Sequence, residues 1–176
     1  MPNPSPVKSS QIVDATTSAT DKGIVLNALS DSGERYETTA SSESDVIVLS
    51  FTINSVDTPK ISNVALTIGG ATSVTYDFKN ADGVTVKTVA DQSPVDGALN
   101  TPLTEIVNAK TLTILITPTG SNAKVSLSDL AITACFSPVS GNQVFYLQMT
   151  FLYCMKKFCN ISITDSCVYK YKCIVT

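Results

Sequence analysis

The chain has 176 residues, a net charge of −3, and neither histidine nor tryptophan. Without histidine it lacks the usual general base at neutral pH, every Ser–His or Cys–His nucleophile pair and the commonest metal ligand. One arginine in an acidic body leaves no basic footprint for a phosphate backbone, which argues against a nucleic-acid partner.

Residues 1–10 hold three prolines and three serines and read as a linker. From there to Cys135 the dominant period is two, the signature of strands. Val46 to Ile53 is a nearly continuous apolar run, as expected of a central strand covered on both faces or nearly so. Val64, Leu66 and Ile68 alternate with smaller residues, and Val74, Tyr76 and Phe78 do the same. Asn80-Ala81-Asp82-Gly83 carries hairpin-turn chemistry, and Val84, Val86 and Thr88 open a return strand. Leu103 to Ala109 is at most one short helical turn. Leu112 to Thr117 is another strand, stopped by Pro118. In Lys124 to Cys135 the apolar parity shifts after Leu127, which predicts a β-bulge at Ser128-Asp129.

Several strands of this length separated by Gly, Asn, Asp and Pro turns predict an all-β antiparallel sandwich or jelly roll spanning residues 11–135. Its expected core contains Val48, Phe51, Leu66, Val74, Tyr76, Ile114, Ile116, Leu127, Leu130 and Ile132. The order VIVLSFTI, then ISNVALTIGGATSVTYDF with NADGVTV, then the closing KVSLSDLAITAC resembles the galactose-binding-like, discoidin-type jelly rolls across residues 24–135. That resemblance implies a module of extracellular adhesive or mucin-like proteins. The chain departs from discoidin domains in having no tryptophan and no early cysteine to pair with Cys135, so no ligand residue is carried over.

Composition changes abruptly at the end of that stretch. Residues 1–135 carry eight basic and fourteen acidic side chains, whereas residues 136–176 carry four basic and one acidic, with eight of the twelve aromatics. The spacing of Cys154, Cys159, Cys167 and Cys173 fits no zinc pattern, and Cys135 makes an odd fifth cysteine. Residues 136–176 are therefore expected to be an unrelated or disordered tail. Its origin is either read-through of an unspliced intron, with Val139-Ser140 at the join, or a genuine disulfide-stapled module. Asn160 heads the one glycosylation sequon and matters only in the second case. The apolar stretch Val144 to Met155 is about half the ~20 residues a membrane helix requires.

Two constellations suggest ligands. Asp31, Glu34, Glu37, Glu43 and Asp45 share one polar stretch and are candidate calcium ligands, although no calcium-loop spacing is met and the alternative is a solvated acidic loop with no cofactor. Arg35 and Tyr36, in the same stretch, are the candidates for glycan contact, because Tyr36 is the one body tyrosine not placed on an apolar face. The acids lie in polar loops, not converging across a cleft, so no catalytic residue is expected. The expected function is a non-enzymatic structural or adhesive module of a larger extracellular protein, partnered by its other domains. The N-terminus has no signal sequence, so the chain is expected to be a fragment, the alternative being a cytoplasmic protein. The competing functions are a carbohydrate- or calcium-dependent lectin-like module and an accessory domain clipped from an enzyme.

Overall fold

The period-two runs fold as strands. In a computed structural model describing residues 4–19, 24–42 and 44–139, these are β1 (Ser5–Pro6), β2 (Ile12–Thr17), β3 (Arg35–Thr39), β4 (Ile47–Ile53), β5 (Lys60–Gly69), β6 (Ala71–Lys79), β7 (Thr85–Gln92), β8 (Ala98–Asn108), β9 (Thr111–Pro118) and β10 (Lys124–Cys135). Short 3-10 turns occupy Ser9–Gln11 and Val25–Ala28, and no α-helix occurs among the described residues. One sheet runs β1-β10-β5-β8, with β3 sharing the β1 edge of β10; the other runs β2-β4-β9-β6-β7. All strand pairings within the two sheets are antiparallel. The result is a jelly-roll sandwich whose inner faces meet in a core that includes Tyr36, Phe51, Tyr76, Phe78, Ile114 and Leu127.

Nine of the ten expected core residues are buried. Val48 is not: β4 alternates strictly, with Ile47, Leu49, Phe51 and Ile53 inward and Val48, Ser50 and Thr52 half-buried on the other face. That outer face is polar at two of its three positions. Ser50 pairs with Thr113 at 3.1 Å and Thr52 with Thr111 at 3.0 Å, hydroxyl ladders that a fully apolar strand would not form.

The Asn80 turn forms as expected. The Asn80 side chain accepts hydrogen bonds from the Asp82 and Val84 amides, and Gly83 takes φ +78°. The bulge is also where parity placed it, with Asp129 at φ +54° and a register shift between Ser128 and Ala131.

Three boundaries differ from the sequence reading. Residues 1–10 are not wholly a linker: Ser5 and Pro6 pair with Ala134 and Thr133, and Val7 is only 1% exposed while its N–H donates to the Ile132 carbonyl at 2.8 Å. The prolines are tolerated because β1 is a two-residue edge strand. Leu103 to Asn108 continues β8 instead of turning: it bulges out of register with β5 over residues 103–106 and pairs again at Val107 and Asn108, opposite Ile61 and Lys60. The body also extends past Cys135. Phe136 is buried, Ser137 bonds Asp57, and Pro138 bridges to Ser55. Cys135 is half-buried at the end of β10. Asn160 and the tail cysteines lie outside the described residues.

Candidate ligand-binding site

Arg35 and Tyr36 are adjacent on β3 and so point to opposite faces. Arg35 is exposed and pairs with Glu37 at 2.9 Å. Tyr36 is only 1% exposed, with its hydroxyl 2.9 Å from that of Thr17. This corrects the expectation of an exposed tyrosine platform: the tyrosine is a core residue, and the two side chains cannot contact one ligand together.

Three of the five candidate calcium ligands are spent on the protein itself. The Asp31 carboxylate accepts from the Ser9 amide and hydroxyl at 2.9–3.0 Å, Glu37 pairs with Arg35, and Asp45 accepts from the Ser41 amide at 3.3 Å. Glu34 is exposed, and Glu43 lies outside the described residues. Among the described residues, no three Asp, Glu or Cys side chains gather in a metal-holding arrangement.

Among the described residues, a cleft of about 540 Å³ lies between the β2 edge and Ile24–Leu26. A groove of about 240 Å³ crosses β3 and β10 at Glu37–Thr39 and Lys124–Ser126. Another, about 340 Å³, lies between β7 and β8, lined by residues 87–90 and 101–105.

Thr101, one of the residues lining the β7–β8 cleft, is 7% exposed, and its hydroxyl oxygen is buried. Its hydrogen-bonding neighbour is the hydroxyl of Tyr76, fully buried on the opposite sheet behind the cleft. Burial pushes the Tyr76 phenol up to about 12, a rise that the neighbouring Thr101 hydroxyl opposes only in part. The β3–β10 groove has one such hydroxyl, Thr38, but its volume is below the ~300 Å³ at which ligand pockets begin. The β2 cleft is roomy enough but has no orphaned buried side-chain atom in its lining.

Sequence reading placed Tyr76 in the core, correctly, and missed its hydroxyl. The available signal was the choice of tyrosine over phenylalanine on an inward-facing strand position, since a buried O–H demands a partner. Thr101 carried no signal, because Asn100-Thr101-Pro102 reads as loop.

No family model matches the chain, and no curated protein matches it. Solved structures do. A chitosan-binding module from the chitosanase/glucanase of Paenibacillus sp. IK-5 aligns with TM-score 0.55 at 15% identity, over 73% of this chain and 98% of that one. The family 32 carbohydrate-binding module of C. perfringens NanJ, in complex with galactose, aligns with TM-score 0.53 at 16% identity, over 74% and 99%. The lectin domain of lectinolysin, complexed with Lewis B antigen, aligns with TM-score 0.51 at 15% identity, over 68% and 90%. Identities this low speak to architecture alone, and on architecture the two readings agree: the chain has the galactose-binding-like jelly-roll fold.

Proposed function

We propose that this protein is a non-enzymatic carbohydrate-binding module. The observation that carries the proposal is the shared fold, which spans nearly the whole length of modules that hold galactose, Lewis B antigen or chitosan. The absence of histidine and of a nucleophile–base pair supports a binding role over turnover. The adhesive role expected from sequence then becomes a consequence of glycan binding, exerted in an extracellular setting. A second reading, an accessory module of an enzyme, is favoured by the chitosan-binding neighbour, which derives from a chitosanase/glucanase.

All aromatic side chains among the described residues are buried, so recognition by those residues rests on hydrogen bonds and small apolar contacts without a stacking platform. Affinity for a single sugar is therefore expected on the order of 1 mM, about −4 kcal/mol. The test is a glycan array probed with the full chain and including Lewis B antigen, galactosides, fucosides and chitosan oligomers. Binding to one class, without release of product, is expected. Silence across the array, or hydrolysis that persists through purification, would overturn the reading.

A further inference from the structure

We infer that the cleft along the free edge of β2 is a docking site for an extended, cationic segment of a partner protein, which adds to the sheet as a further antiparallel strand. Docking there is independent of the glycan proposed above.

β2 pairs with β4 alone, so its other side is a sheet edge. The Ser18 amide donates to the Val48 carbonyl at 2.9 Å, and bonding across an antiparallel ladder alternates from residue to residue. Asp14, Thr16 and Ser18 therefore turn their backbone groups toward β4, and Ala15 and Thr17 turn theirs to the open side. Those outward groups have no partner among the described residues. The cleft follows this edge: all six residues of β2 line one side of it, and Ile24, Val25 and Leu26 line the other. A bulge between Ile12 and Asp14 leaves residues 14–17 as the regular stretch for pairing. Three other edges are interrupted: β8 carries Pro102 and a bulge, β7 ends with Asp91 at φ +52°, and β1 is two residues long with Pro6.

The lining sets the chemistry of the added strand, whose side chains alternate between the two faces. On the inner face, where Ala15 pairs with Phe51, the opposite wall is the half-buried Leu26 and the exposed Ile24, which favour apolar side chains. On the outer face the neighbours are Asp14 and Thr16. Asp14 is exposed, is the single charged residue in the cleft, and has no ion-pair or hydrogen-bond partner among the described residues. A base directly across from it on an added strand is a stabilising pair. At longer range, residues 1–135 hold fourteen acids against eight bases, a field that draws in a cationic segment and repels a second copy of this chain. A segment alternating lysine or arginine with apolar residues satisfies the edge, the wall and the field together.

The test titrates the full 15N-labelled chain with the acetylated, amidated peptide (Lys-Val)4. Amide shifts should centre on Ala15 and Thr17, and both N–H groups should exchange more slowly in the complex. In an antiparallel addition the valines lie opposite Ala15 and Thr17, so N-methylating them should abolish binding, whereas N-methylating the lysines should leave it unchanged. Asp14→Lys should weaken binding about fivefold or more, the range of a lost cross-strand ion pair. Ala15→Pro removes one outward donor at an edge position that tolerates proline, and should weaken binding about fivefold, the effect of one hydrogen bond of ~1 kcal/mol. Equal binding of the two N-methylated peptides, equal binding of (Glu-Val)4, shifts centred away from β2, or no binding at about 1 mM peptide would overturn the inference. Ala15 and Thr17 protected in a dimer without peptide would give the edge to a second copy instead. Shifts at those amides on adding D-galactose would give the cleft to a glycan, and either result would also overturn it.

Discussion

The hydroxyls of Thr17 and Tyr36 lie 2.9 Å apart and tie β2 of one sheet to β3 of the other. Thr17 also accepts from the Ala19 amide at 3.1 Å, so the contact fixes the chain as it leaves β2. Tyr36→Phe should cost about 1 kcal/mol, the net worth of one satisfied hydrogen bond. Tyr36→Ala should cost about 3–5 kcal/mol by opening a cavity. Urea unfolding measures both. Sugar affinity should be unchanged in the Tyr36→Phe protein; lost binding with intact stability would restore Tyr36 as a ligand contact.

Tyr76→Phe tests a second hydroxyl pair. The buried Tyr76 hydroxyl has that of Thr101 as its hydrogen-bonding neighbour, so Tyr76→Phe or Thr101→Val alone orphans the other group and should cost about 1–3 kcal/mol. The double variant replaces both by apolar groups of the same shape and should cost less than either single change, as urea unfolding will show. Single variants as stable as the parent would mean that the two hydroxyls do not satisfy each other.

The same phenol predicts an alkaline limit. Tyr76 ionises near 12 in the folded protein and near 10 when unfolded, so the folded state keeps its proton longer. Between those values the unfolded state binds fewer protons and stability falls as pH rises. The contribution is fully present below pH 10, and its loss is on the order of 2–3 kcal/mol by pH 12. Unfolding midpoints from pH 9 to 12 should drop less steeply for Tyr76→Phe than for the parent. Parallel curves would exclude Tyr76 as the cause.

Gly70 is the single residue between β5 and β6, at the corner where the chain passes from one sheet to the other. It takes φ +72°, and a Cβ there would collide with the backbone carbonyl of Lys124. Neither neighbour can yield easily, since the Gly70 carbonyl is held by the Thr119 amide at 3.0 Å. Gly70→Ala should therefore cost about 3 kcal/mol from strain and clash together. Gly83→Ala, at φ +78° with open space around the added carbon, should cost less, and the difference between the two midpoints isolates the clash.

The fold was legible where alternation was strong. Val74, Tyr76 and Phe78 announced β6, and the parity change after Leu127 located the bulge at Asp129. Reading failed where the deciding partner is distant in sequence. Nothing local distinguishes Tyr36, flanked by charged residues, from an exposed tyrosine; its burial comes from β2 and β10. The meeting of Thr101 with Tyr76 was illegible for the same reason, since the two are brought together only by stacking one sheet on the other. Val7 and Phe136 escaped because short edge pairings with β10 and the 54–57 loop, not periodicity, hold the ends of the body.

The end of the body makes the last prediction. The Asp57 carboxylate accepts from the Ser137 amide at 2.7 Å and from its hydroxyl at 3.2 Å, while the Val56 amide donates to the Ser137 carbonyl at 2.9 Å. The Ser137 amide bond is the main reason that Asp57 ionises below its ordinary value, assisted by the Ser137 hydroxyl and opposed by partial desolvation. A carboxylate with a depressed folded pKa stabilises the protein above its unfolded pKa of 3.8 and loses that contribution as pH falls through the folded value. Acidification below about pH 4 should therefore release the Ser137 strap before the β-sandwich melts, seen as faster amide exchange at Val56 and Ser137. Asp57→Ala should show that exchange already at pH 7 and lose its acid dependence. Phe136, 7% exposed beside the strap, packs into the core, and Phe136→Ala should cost about 3 kcal/mol. If Phe136→Ala and Asp57→Ala both unfold like the parent at every pH, the body ends at Cys135 after all.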